Sequence, residues 1–116
     1  MVVNMTNAIE VVRRFYVAYQ EQDLETARRL LSAGLTFTSP QDDHIDKATY
    51  LERCFPTADR FVATDVREAV EAEPGVVLWR YTYELQDGDR FSNVEAITVR
   101  DEQIVDIHVY FGGAEN

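Results

Sequence analysis

The apolar residues of this chain change their spacing half-way along it, and that change limits the fold more than any other feature. Up to Phe55 they recur at three- and four-residue intervals, as on helices; from Val62 onward they alternate with polar residues, as on strands. The order is therefore helices first, then a sheet. Ala8, Val12, Phe15 and Tyr19 form the stripe of a helix from about Asn7 to Gln22, with Asn7 as its cap and Glu10 three residues on. Asp23 caps a second helix through Ser32 that buries Leu24, Ala27, Leu30 and Leu31, and Gly34 stands where a left-handed stop belongs. A short strand from Leu35 to Ser39 ends at Pro40, and an acidic loop runs from Gln41 to Asp46. A third helix then carries Ala48, Leu51 and Phe55 on one side and stops before Pro56. The second half reads as four strands. The first has Val62, Val66 and Val70 on one face and ends at the Pro74-Gly75 turn. The others run from Val76 to Leu85, Asp89 to Arg100 and Ile104 to Phe111, with connections short enough for antiparallel hairpins.

With 116 residues, the chain is expected to form one domain over residues 1–116, long enough to fold without a staple. Its single cysteine, Cys54, rules out an internal disulfide, and zinc-site spacings are missing. Apolar runs such as Gly75 to Trp79 fall far short of the ~20 residues that cross a bilayer, and no basic-then-apolar leader opens the chain. A soluble, cytoplasmic protein with no membrane partner is expected. The net charge of -10, with Lys47 the sole lysine and the arginines scattered among acids, argues against a nucleic-acid partner. It also repels acidic ligands at long range.

Paired residues of an antiparallel ladder point to the same side of the sheet, so parity fixes the register. Trp79, Tyr81, Tyr83 and Leu85 form one face of their strand, and Phe91, Asn93, Glu95, Ile97 and Val99 carry the bulk on the next. A three-residue loop, Gln86-Asp87-Gly88 with Gly88 left-handed, pairs Leu85 with Asp89, Tyr83 with Phe91, Tyr81 with Asn93 and Trp79 with Glu95. The last hairpin, through Asp101-Glu102-Gln103, sets Val99 against Val105, Ile97 against Ile107 and Glu95 against Val109. Glu95 is thereby placed mid-sheet among apolar neighbours.

Two capped helices, a strand ending in Phe37-Thr38-Ser39-Pro40, a third helix, and a meander closing with Ile104 to Gly112 resemble the nuclear transport factor 2-like superfamily, its SnoaL-like branch above all. The resemblance covers Ala8 to Gly112. It implies an α+β cone: three N-terminal helices packed on a curved antiparallel sheet, with a cavity at the open end and a homodimer through the convex face. Members include isomerases, cyclases, dehydratases, epoxide hydrolases and noncatalytic modules. Ketosteroid isomerases of this group use a first-helix tyrosine, an aspartate just before the proline that ends the first strand, and a protonated aspartate on a later strand. Those positions hold Phe15, Ser39 and Glu95 here. Tyr16 adjoins the first, but one helical residue turns a side chain by about 100°. Scytalone dehydratase-like chemistry asks for two cavity histidines, and His44, in a loop, and His108, on the outer face, are not expected to meet.

Glu95 is the leading candidate, because a carboxyl in an apolar cavity has its pKa raised and becomes a usable acid or base near neutrality. An arginine partner, or a bulge turning it outward, would remove that role. Tyr81 and Asn93, paired across strands beside it, offer a phenol and an amide for orienting a carbonyl or hydroxyl. Trp79, Tyr83 and Phe91 make an aromatic wall suited to a flat apolar ligand or a plain core, with Phe15 and Tyr19 of the first helix facing the same interior. Ser39 offers one hydrogen bond at the cavity mouth. His44 could fold over the cavity as an acid or base. The segment Asp42-Asp43-His44-Ile45-Asp46 mixes metal-ligand types but reads better as a solvated loop with Asp46 capping the third helix, so no metal or other cofactor is expected. Cys54 reads as a small buried hydrophobe.

Arg80, Thr82, Val94, Ala96, Thr98, His108 and Tyr110 make an outer face too apolar for a solvated sheet, and Ala96 opposite His108 and Val94 opposite Tyr110 suit a dimer. Three functions follow: a cofactor-independent enzyme that moves a proton on an apolar small molecule, a noncatalytic binding or dimerisation module with Glu95 neutralised by a local partner, or a structural subunit with a filled cavity.

Overall fold

The structure, a computed structural model, describes residues 7–115. Helix α1 (Ala8–Glu21) starts where Asn7 accepts the Glu10 backbone N–H and ends at Gln22, whose φ of 58° is left-handed. The Gln22 side chain donates to the carbonyls of Tyr19 and Phe55, at 2.7 and 2.8 Å, which ties this exit to the end of the third helix. Asp23 caps α2 (Leu24–Leu30) by accepting from the backbone and hydroxyl of Thr26.

α2 is shorter than its apolar pattern suggests. Leu31 is already extended and begins β1 (Leu31–Ser39), so Gly34 is a strand residue and not a left-handed stop. Leu31 is fully buried opposite Ile104, and this tertiary pairing outweighs local helix propensity. Leu24, expected inside, is exposed. The acidic stretch expected as a loop is largely a strand, β2 (Asp42–Ile45), antiparallel to β1 through Phe37 with Ile45 and Ser39 with Asp42. Aspartates disfavour strands, but on this outermost strand Asp43 keeps its side chain in water while Asp42 turns inward to Arg53. Asp46 caps α3 (Lys47–Arg53) as expected; its inward residue is the buried Tyr50, while Ala48 is exposed. A 3₁₀ turn follows over Phe55–Arg60, with Pro56 in its first positions.

β3 (Phe61–Glu73), β4 (Val76–Leu85), β5 (Arg90–Arg100) and β6 (Gln103–Ala114) complete a sheet of order β2-β1-β6-β5-β4-β3. It is antiparallel except where β1 runs parallel to β6, which departs from the all-antiparallel expectation. The β4–β5 register agrees with the parity reading at each pair given above, and Gly88 is left-handed at φ 93°. The β5–β6 connection differs. Asp101 and Glu102, both with positive φ, make a two-residue turn, so Val99 faces Ile104 and not Val105. One extra residue on β6 then restores Ile97 with Ile107 and Glu95 with Val109. Two-residue turns of this kind favour Asn-Gly or Asp-Gly, and the sequence carries no glycine there. A bulge on β3 sets Val66 opposite Tyr81 but Val70 opposite Leu78, so the three valines do not share a face.

The helices lie on the inner face of the sheet. Val12, Ala27, Leu31, Val77, Trp79, Ile97, Ile104 and Ile107 fill the closed end with almost no exposure. Each larger aliphatic among them contributes roughly 1.5–3 kcal/mol by burial. The result is a cone-shaped α+β fold whose other end stays open.

Candidate functional site

The open end holds a cavity of about 680 Å³, within the range of small-molecule sites. Glu95 lies at its floor, mid-way along β5 and opposite Trp79 and Val109. The Tyr81 hydroxyl donates to Glu95 Oε2 at 2.6 Å, and Asn93 Nδ2 donates to the Tyr81 oxygen at 3.2 Å. Asn93 Oδ1 is buried without a partner, and Glu95 Oε1 makes no hydrogen bond among the described residues. Nor does any cation there lie within ion-pair distance of Glu95. Glu95 is partly buried and lines the cavity. Burial pushes it up to about 7, against which the Tyr81 hydrogen bond pulls downward.

Phenols surround this carboxyl. Tyr16 packs its ring 5.2 Å from Trp79 and 5.6 Å from Tyr81. Burial, and then the Glu95 charge, hold the hydroxyls of Tyr16, Tyr50 and Tyr81 well above their ordinary value, so all three stay protonated donors near neutrality. Tyr19 is anchored by a 3.0 Å hydrogen bond to Thr57, and burial raises it too.

A second polar group stands nearer the mouth. Ser39 donates to Asp42 Oδ2 at 3.1 Å, and Arg53 Nη2 lies 3.0 Å from Oδ1 in an ion pair whose angle makes no aligned hydrogen bond. Asp42 is only 10% exposed, Arg53 55%. The Cys54 thiol is 3.8 Å from Asp42, and burial, then the Asp42 charge, push it up to about 11. A thiol so held is no nucleophile at neutral pH.

Eight of the residues singled out from sequence converge on the cavity: Glu95, Tyr81, Asn93, Tyr83, Phe91, Ser39, Phe15 and Tyr19. Two do not. Trp79 is buried behind Tyr16 in the core. His44 sits on the outermost strand with an exposed side chain, its Nδ1 2.6 Å from Asp43, and is no part of the cavity lining. The β1–β2 pairing turns it to solvent. Tyr16, set aside by the 100° argument, does reach the cavity beside Phe15, because the buried face of α1 is wide enough for both. Tyr50 and the Asp42-Arg53 pair were missed outright. Tyr50 had a signal in its i, i+4 spacing to Cys54 and the buried side of α3; Asp42 had none, because its partners come through the strand pairing. No group of three or more His, Cys, Asp and Glu side chains forms a metal site among the described residues, and no helix there is long and apolar enough to cross a membrane.

Residues 12–107 match the family model of the SnoaL-like domain. The chain belongs to the SnoaL-like family. Solved structures agree with this in fold. A nuclear transport factor 2-like protein from Cytophaga hutchinsonii is 20% identical, with 96% of this chain and 94% of that one covered and a TM-score of 0.75. An LEH-like epoxide hydrolase from M. tuberculosis is 20% identical over 94% of this chain and 85% of its own, with a TM-score of 0.74. A candidate ketosteroid isomerase from Kribbella flavida is 16% identical over 94% and 80%, with a TM-score of 0.74. Among curated proteins none matches this sequence. At these identities the likeness is one of fold, and the chemistry of this SnoaL-like domain has to be argued from its own cavity.

Proposed function

We propose that this SnoaL-like domain is a cofactor-independent enzyme that binds an apolar small molecule in its cavity and moves a proton on it through Glu95. The observation that carries the reading is a carboxyl deep in an aromatic cavity, partnered by a tyrosine hydroxyl and, among the described residues, by no cation. Near neutrality such a group exists in both forms, so it can take a proton and return it. Tyr81 fixes Oε2 and leaves Oε1 toward the substrate, while Tyr16 and Tyr50 supply neutral donors for charge that develops on a substrate oxygen. Tyr83, Phe91, Phe15 and Tyr19 surround the apolar body, with Asn93 and Ser39 as polar contacts. Isomerase, cyclase, dehydratase and hydrolase types all fit this arrangement, and two of the structural relatives carry names from this range.

The alternative, a noncatalytic ligand-binding module, draws support from Ser39: it stands where a base would sit, and its hydroxyl is already given to Asp42. Carboxyl-carbon NMR titration, with Glu95→Gln to assign the resonance, separates the two. A midpoint near 7 followed by loss of turnover in the variant, in a screen of apolar carbonyl compounds, epoxides and alcohols, supports the enzyme. A midpoint at or below the ordinary ~4.3 overturns it and leaves the binding module.

The protein is further proposed to be cytoplasmic and to pair with a second copy through the outer sheet face. Val94 faces Tyr110 there and Ala96 faces His108, and the His108 and Tyr110 rings stack at 4.4 Å with Tyr110 53% exposed. Arg80 on the same face is engaged by Glu68, and Thr82, counted with this surface from sequence, is buried. A single-chain mass by light scattering at micromolar concentration overturns the pairing.

A further inference from the structure

Two arginines line the cavity of a chain whose net charge is -10, and the reading above uses neither. Arg53 is tethered by Asp42. Arg60, at the end of the 3₁₀ turn, has no carboxylate within ion-pair distance among the described residues. It lines the cavity and is exposed, which places it at the opening. Burial raises both Tyr19 on α1 and Tyr83 on β4, and the Arg60 charge is among the groups opposing that rise in each. The cation therefore stands within electrostatic reach of two walls of the cavity at once.

We infer that the cavity takes an amphipathic anion, with its apolar body inside and a carboxylate or sulfonate head held at the rim by Arg60. The inference rests on the cavity reading proposed above and adds the charge and orientation of the ligand. Glu95 at the floor would repel a buried anion whenever it is ionised, so the head must point outward and the reacting part inward. Asp42 does not oppose this arrangement, because its charge is already matched by Arg53. The acidity of the whole chain acts at longer range, where salt screens it beyond about 8 Å at physiological ionic strength. It slows encounter, while a guanidinium in contact with the head group governs how long the ligand stays.

Two fluorescent probes share one apolar body and differ in the anion: 1-anilinonaphthalene-8-sulfonate and the neutral N-phenyl-1-naphthylamine. Both are expected to bind the wild-type protein. Arg60→Gln should weaken the sulfonate about tenfold and leave the neutral probe within twofold, and Arg60→Lys should keep the sulfonate within about threefold of wild type. Raising salt should weaken the sulfonate alone. Arg60 is exposed, so these variants keep the fold. Equal effects on both probes, or no effect on either, overturn the inference. Binding of the neutral probe without the sulfonate overturns it while the cavity reading stands; failure of both probes to bind the wild type overturns both.

Discussion

The floor and the mouth of the cavity each hold a carboxyl group, kept in opposite ways. Glu95 at the floor has a neutral phenol for a partner and, among the described residues, no cation; Asp42 near the mouth has a guanidinium at 3.0 Å and a serine hydroxyl at 3.1 Å. A carboxyl without a cation in a dry site loses stability when it ionises, whereas one in an ion pair is stabilised by its charge. The same functional group is thus a proton carrier in one place and a structural tie in the other. The surroundings decide which.

The largest effect expected from this contrast concerns pH and stability. Glu95 rises from 4.5 to about 7 on folding, so its neutral form is the one the fold favours. That contribution is complete below about 4.5 and is lost as pH climbs through about 7, a difference on the order of 3 kcal/mol. Glu95→Gln removes the titration. Relative to wild type it should therefore gain about 3 kcal/mol between pH 4 and pH 8, measured by urea unfolding at each pH. A difference that does not change with pH would mean that the carboxyl is not desolvated, and the contrast would collapse.

At the mouth the sign reverses. Asp42→Asn leaves Arg53 without its partner and should cost about 1–2 kcal/mol at pH 7 by the same measurement. Arg53 is more than half exposed and can turn to water, which keeps the loss below that of a fully buried pair. The two variants, each replacing one carboxyl by an amide, should thus move stability in opposite directions at pH 8. If Asp42→Asn stabilises the protein as Glu95→Gln does, the mouth carboxyl is also desolvated and the distinction drawn here is wrong.

The contrast also marks what the sequence could reveal. The floor was legible because hairpins couple neighbours in sequence: a short loop with Gly88 and the period of two fix which side each residue takes. Tyr81, Asn93 and Glu95 came out together from parity alone, and the cavity holds all three. The mouth was not legible, because it depends on contacts between segments with no shared period. The crossover that lays β1 parallel to β6 appears in no local pattern, and it is what converts Leu31 to Gly34 from helix end to strand. Asp42 looked like part of a solvated acidic loop; only its pairing with Ser39 and the approach of Arg53 from α3 bring it inward. Bulges sit between these extremes. Each inserts one residue and reverses parity beyond it, as at Val66 and Val70, and the alternation of side chains does not announce where it occurs.

His44 supplies the smallest expected effect. It lies two residues from Asp42 and was singled out with the catalytic candidates, so it tests how sharply the boundary of the site is drawn. Its side chain is 68% exposed and Asp43, 2.6 Å away, is 93% exposed, which makes theirs a surface pair of little net worth. Its backbone is left-handed at φ 51°, so the test residue is asparagine, which tolerates that region better than alanine does. His44→Asn should change stability by less than about 0.5 kcal/mol and leave binding of the neutral naphthylamine within twofold. The reason is geometric: β2 pairs through Asp42 and Ile45, and the residue between them that carries the imidazole points away from the cavity wall. A tenfold loss of binding, with stability unchanged, would mean that the imidazole folds back over the opening when the cavity fills, and the mouth would then have an acid-base group of its own.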